Sequence, residues 1–92
     1  MSKSISNVQF DAFETVPLSN VPLLANVEVI HIDSRASSKI IQRLSGLGIV
    51  PGTELKVISE APFKGPLQLE VRGTRLVLGR GLAEKILVRR GA

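Results

Sequence analysis

The chain has no cysteine, no tryptophan and no tyrosine, and its 92 residues hold a single histidine and three phenylalanines. Without thiols it has no disulfide framework, zinc ribbon, iron-sulfur ligand set or thiol nucleophile, so stability must come from an apolar core alone. An enzyme needs a nucleophile, a base or a metal, and little here can serve. No run of 18 apolar residues is present, so no helical membrane span is expected. The opening residues Met1 to Ser6 lack the apolar stretch of a signal peptide, and the expected location is the cytosol. Gly46 and Gly48 are followed by Ile49, Val50 and Pro51 and not by Gly-Lys-Ser or Gly-Lys-Thr, so no phosphate-binding loop of that kind is expected.

What is present has globular proportions: 43% hydrophobic and 22% charged residues, enough length for one domain and a thin core. Residues 1–16 read as an N-terminal extension whose large apolar points, Phe10 and Phe13, stand three apart. Residues 17–92 read as the domain. The whole chain carries a formal charge of +4, and from Pro17 onward 11 basic and 6 acidic residues leave +5, so the positive charge belongs to the domain. A basic surface admits phosphates, anionic lipid or an acidic protein face without choosing among them.

Val27 to Asp33 is β-branched and reads as a strand, with Ile30 pointing to burial on both faces or to a bulge. From Ala36 the period changes: Ile40, Ile41, Leu44 and Leu47 fall on one side of an amphipathic helix. Ser34 or Ser37 supplies its cap, and Gly48 takes the left-handed conformation that ends it, folding Ile49 back on Leu44. Val50, Pro51, Gly52 and Thr53 fit a type II turn. Leu55 and Val57, then Leu67, Leu69 and Val71, alternate with polar residues as half-buried antiparallel strands, separated by a proline-flanked loop from Ala61 to Pro66. Gly73 and Thr74 make a tight connection to Arg75–Leu78, and Ile86–Val88 is a last strand. The fold class expected is mainly β: five short strands curled into a small barrel, with one helix inserted after the first strand.

His31 is the one imidazole, and Asp33 is two residues on, sharing a face if the strand is regular; these two are the weak metal candidates, and a two-ligand site holds iron or zinc poorly without a second chain. The bland reading is a rim histidine. Arg72, Arg75, Arg80, Arg89 and Arg90 cluster late in the chain, yet single-strand nucleic-acid binders add aromatic platforms and the domain has only Phe63, so nucleic acid is an unlikely partner.

The ordered set Arg43–Val57 (RLSGLGIVPGTELKV), Ala61–Pro66 (AP-x-x-GP) and Val71–Val88 (VRGTRLVLGRGLAEKILV), preceded by Pro17–Val21 (PLSNV), resembles the FeoA family. Any one piece is common, but the ordered set is specific and covers most of the chain. The resemblance implies a Src-homology-3-like barrel and a role as accessory to FeoB, a membrane transporter of ferrous iron with a cytosolic GTPase domain. It implies no cofactor, no enzyme activity, and contact with the inner membrane only through that partner; self-association stays open. A related domain ends the DtxR-like metal-dependent repressors, so a regulator-associated or nucleic-acid module is the alternative; this chain lacks the preceding DNA-binding helices. Two departures stand out. The family's turn glycine before the first strand is missing from Pro22–Asn26, where Asn26 is expected to take the required conformation. Gly79, Arg80 and Gly81 interrupt the approach to the last strand, which is expected to be looser there.

Since reactive groups are scarce, action by contact is expected, through a patch of Leu47, Ile49, Val50 and Pro51 joined by Phe63 and Lys64. Leu47 and Ile49 have a competing role as core plugs, and Gly48, Gly52 and Gly73 serve the backbone. Arg43, Arg72 or Arg80 are candidates to meet an acidic face or the phosphates of the GTPase. On this reading the isolated chain emerges iron-free when loaded with ferrous ion and passed through gel filtration; retention of stoichiometric iron would make it a carrier instead.

Overall fold

A computed structural model describes residues 14–90. The expected extension falls almost wholly outside the described residues, including Phe10 and Phe13. Its last residue, Val16, pairs in the sheet opposite Val88.

In chain order the elements are β1 (Val16–Pro17), a 3-10 turn (Leu18–Asn20), β2 (Asn26–Ile32), α1 (Ser38–Gly46), β3 (Glu54–Glu60), β4 (Leu67–Val71), β5 (Thr74–Leu78), the short α2 (Arg80–Ala83) and β6 (Ile86–Arg90). All strand pairs are antiparallel, in the order β1-β6-β2-β3-β4-β5. The architecture is the mainly β one read from the sequence, with two differences among the described residues. A sixth strand, only two residues long, is added by Val16 and Pro17, and β1 and β5 remain unjoined edges.

Period-two patterning places the core. Val27 and Val29 of β2, Leu55 and Val57 of β3, Leu67, Leu69 and Val71 of β4, and Ile86 and Val88 of β6 are all buried, and Leu18, Leu44 and Ile49 close over them. Two bulges break the alternation. Val29 and His31 face consecutive residues Val88 and Leu87 of β6, so Ile30 is the extra residue; Val57 and Ser59 face Leu69 and Gln68 of β4, so Ile58 is another. A bulge moves the following side chains to the opposite face. That is why His31, spaced evenly with Val27 and Val29, is exposed while Ile32 packs on the core.

Helix α1 begins at Ser37, whose hydroxyl accepts from the Ile40 N–H at 3.2 Å. It ends where Gly48 takes φ +87, with the Gly48 N–H donating to the Ser45 carbonyl at 2.9 Å and the Ile49 N–H to that of Leu44 at 2.8 Å. This reciprocal pair is the Schellman stop, and the buried side chains of Ile49 and Leu44 supply its apolar contact. The next turn follows at once, Thr53 N–H to Val50 carbonyl at 3.0 Å with Gly52 at φ +95. Gly73 is at φ +81 in the β4–β5 hairpin, beside Arg72 at φ +53.

Thr53 is 2% exposed, the one buried polar side chain among the described residues. Its hydroxyl donates to the Gly48 carbonyl at 2.9 Å and accepts from the Val50 N–H at 3.3 Å. Thr53→Val keeps the shape and leaves the Val50 N–H without this acceptor. The expected cost is about 1–3 kcal/mol, which thermal unfolding reads as a midpoint about 4–8 °C lower for each kcal/mol.

Candidate docking surface

The residues expected to form one patch do not share a surface. Pro51 and Gly52 precede β3, and Phe63 and Lys64 follow it. The seven residues of that strand separate the two groups by roughly 20 Å at about 3.3 Å per residue. At the helix-to-turn end, Ile49 is 1% exposed and presents no side chain to a partner, a correction to its place in the expected patch: the Schellman stop turns it inward. Leu47, at 40% exposure, Val50 and Pro51 remain accessible there. The adjoining depression is lined by Lys56 and Arg72 and by Glu54 and Glu70, charges of both signs, and by the buried Thr53, whose hydroxyl is already engaged by Gly48 and Val50.

The opposite end differs in kind. Phe63 is 100% exposed. It sits with Lys64 at the centre of a turn closed by the Gly65 N–H donating to the Pro62 carbonyl at 3.1 Å, and both central residues have positive φ, +61 and +57. Such a turn, type I′, favours Asn-Gly, and a bulky side chain there is a genuine outlier. The loop is nevertheless held closely. The Ala61 N–H donates to the Pro66 carbonyl at 2.9 Å, and a Cβ on Gly65 would lie 2.8 Å from that of Ala61.

Arg80, the first residue of α2, reaches back to this turn. Its Nε donates to the Lys64 carbonyl at 2.8 Å and its terminal nitrogen pairs with the Glu60 carboxylate. The Arg80 side chain is only 17% exposed. Its Nε and one terminal nitrogen are thus committed within the chain. The Gly79–Gly81 connection, expected to be loose, instead forms a short helical turn with Ala83 buried beneath it.

Leu23 and Leu24 lie alongside the middle of β3. The Leu24 N–H donates to the Val57 carbonyl at 2.8 Å, three residues before β3 ends, and the two side chains are 52% and 63% exposed. The left-handed residue in this turn is Leu24, at φ +69, and not Asn26, which is already in β2. The sequence signal was an apolar pair between Pro22 and Asn26, in a segment whose flanks promise a turn.

His31 and Asp33 do not converge on a common ligand position. β2 ends at Ile32, and Asp33 is committed locally: its carboxylate accepts from the Arg35 N–H at 2.8 Å and from the Arg35 guanidinium at 2.9 Å, while the Asp33 N–H donates to the Lys85 carbonyl at 2.7 Å. This is an Asx-type turn that steers the chain from β2 toward α1. Among the described residues no group of three or more His, Cys, Asp or Glu is gathered for a metal, and no helix is long and apolar enough to cross a membrane.

The hydrogen bonds from Arg35, first from its side chain and then from its backbone, hold the Asp33 carboxyl well below the usual carboxylate range. Because the folded value is depressed, the stabilisation is present above the unfolded value of about 3.9 and is lost as pH falls through the folded one. NMR titration of the Asp33 carboxyl carbon should give a midpoint well under that of an ordinary aspartate, and Arg35→Ala should return it toward the ordinary range.

Comparison with known proteins places these features in a family. The family model for the FeoA domain matches residues 16–90. A Methanocaldococcus jannaschii protein designated Fe(2+) transport protein A is 41% identical over 61 residues, covering 66% of this chain and 72% of the relative. Among solved structures, a FeoA-like protein from Clostridium acetobutylicum superposes with a TM-score of 0.74 at 33% identity, covering 85% of this chain and 88% of that one. A FeoA from Stenotrophomonas maltophilia, solved with zinc and described as a procaryotic SH3 domain protein, matches with a TM-score of 0.65 at 33% identity over 77% of this chain and 86% of that one.

Proposed function

The chain belongs to the FeoA family of ferrous iron transport accessory proteins, and on that basis we propose that it acts without catalysis, by binding the cytosolic part of a FeoB-type transporter and biasing transport or its GTPase. The contact surface is the end of the sheet that carries Phe63 and Lys64. One observation supports this choice above the rest: a fully exposed aromatic side chain on a turn whose backbone is held in a conformation its residues disfavour. Exposed aromatics anchor interfaces because a single ring buries a large area at little entropy cost. Strained backbone that serves no packing need is a pointer to function. The basic balance of the domain favours an acidic partner face, and Lys64 brings a positive charge beside the ring.

The helix-to-turn residues Leu47, Val50 and Pro51 lie at the other end and are not required for this contact. A protein that alters transport must bind two states of the transporter unequally, since equal attachment to both shifts nothing.

Phe63→Ala should weaken association with the FeoB cytosolic domain by at least about tenfold, a loss on the order of 2 kcal/mol, while the thermal midpoint stays within about 2 °C because the ring touches nothing in the folded chain. Isothermal titration and thermal unfolding of the same two samples measure both. Unchanged affinity would remove Phe63 from the interface.

A further inference from the structure

Phe63 and Lys64 hold a turn that neither residue favours. Bulky residues disfavour positive φ strongly enough for an unsupported tip to spend much of its time in other conformations. The local bonds of the turn are the Ala61 N–H to the Pro66 carbonyl at 2.9 Å and the Gly65 N–H shared between the Ala61 and Pro62 carbonyls at 3.2 and 3.1 Å, and none of them engages the N–H or carbonyl groups of Phe63 or Lys64 themselves. The support from elsewhere in the chain is Arg80. It approaches from α2, sixteen residues later, and engages both the Lys64 carbonyl and the Glu60 carboxylate where β3 gives way to the turn.

We propose that Arg80 and Glu60 form a clasp that sets the Pro62–Gly65 turn before any partner arrives, so that Phe63 docks as a preformed knob into an apolar protein pocket with an acidic edge for Lys64. This rests on the reading of the Phe63 end as the docking surface. Arg80 is then a positioning residue that acts through Phe63. Ordering a loop at an interface subtracts from affinity, and a loop ordered in advance avoids that cost. A protein pocket fits these observations better than a lipid surface. One ring and one lysine are too little for stable membrane attachment, which takes two stronger signals, and a bilayer makes no use of a fixed backbone geometry. The net positive charge of the domain also suits an acidic rim.

The test reads the turn and the contact separately in the full chain. Amide hydrogen exchange at Gly65 follows the turn, with the buried Leu69 amide as a control for global stability; titration with the FeoB cytosolic domain follows the contact. Arg80→Gln should speed exchange at Gly65 by about tenfold without changing Leu69, and weaken association by a similar factor. Lys64→Gly relieves one of the two strained positions, so in its background, measured against Lys64→Gly alone, Arg80→Gln should change both quantities less than it does in the wild-type chain. Should Arg80→Gln fail to fold, Glu60→Gln replaces it with the same expectations.

Unchanged exchange at Gly65 would overturn the clasp. Recovery of Gly65 protection in the double variant without recovery of affinity would show that Arg80 touches the partner directly, which also overturns it. A wild-type chain that responds at Gly65 but does not bind the domain would refute the docking reading and leave the clasp without the role assigned here. Phe63-dependent binding to vesicles of phosphatidylcholine and phosphatidylglycerol, with none to the protein domain, would replace the pocket by a membrane.

Discussion

The two hydrogen bonds of the Thr53 hydroxyl join the end of the helix to the start of β3, and the placement of everything after them follows. The hydroxyl bridges Gly48 and Val50 across the Schellman stop and the following turn. The same turn is tied to β2 from both sides, by the Gly52 N–H to the Val29 carbonyl at 2.7 Å and the Val29 N–H to the Thr53 carbonyl at 2.8 Å. A slip of one residue in this register would turn Val27 and Val29 outward and expose the centre of the core. With the slip blocked, β3 leaves the turn in one register only, and Phe63 emerges at a fixed place beyond its far end.

The two ends of β3 therefore obey different rules. In the helix stop and the turn at the near end Gly48 and Gly52 take the positive φ, the one buried hydroxyl is satisfied, and local preference agrees with the fold. At the far end Phe63 and Lys64 adopt positive φ without glycine, and the Phe63 ring faces solvent. Of the other two non-glycine residues in that region of φ among the described residues, Leu24 lies beside the middle of β3 and Arg72 in a hairpin where Gly73 takes the second position. Natural sequences keep such conflicts where something other than stability is selected. The cluster of conflicts at one end of the sheet is what distinguishes it from an ordinary wet surface.

Much of this architecture could be read from residue types alone. The alternation of Leu55 with Val57 and of Leu67, Leu69 and Val71 reports a half-buried strand directly, and Ser37 and Gly48 bracket the helix because a cap and a stop each depend on a few adjacent residues. What was illegible is nonlocal. Ile58 looks like any strand residue, and only its pairing with β4 reveals a bulge. Arg80 between two glycines looks like flexible chain, yet its partners Glu60 and Lys64 are up to twenty residues away. The helix-to-turn residues and Phe63 belonged together on chemical type, and the length of β3 parts them. His31 and Asp33 were separated by a strand that ends one residue too early.

For an accessory that acts by contact, a stiff tip has a consequence beyond affinity. A mobile loop can follow its pocket as the partner changes shape, keep most of its contacts in both states, and so shift the equilibrium between them very little. A knob fixed by its own chain cannot follow: when the pocket closes or tilts, the contact is lost in full and the difference in affinity approaches the whole worth of the buried ring. Moving a partner from mostly one state to mostly the other takes several kcal/mol of such difference, about 5.5 for a reversal from 1:99 to 99:1. One aromatic anchor supplies about 2–4, so further contacts around the ring, or a bias already close to balance in the partner, must make up the remainder.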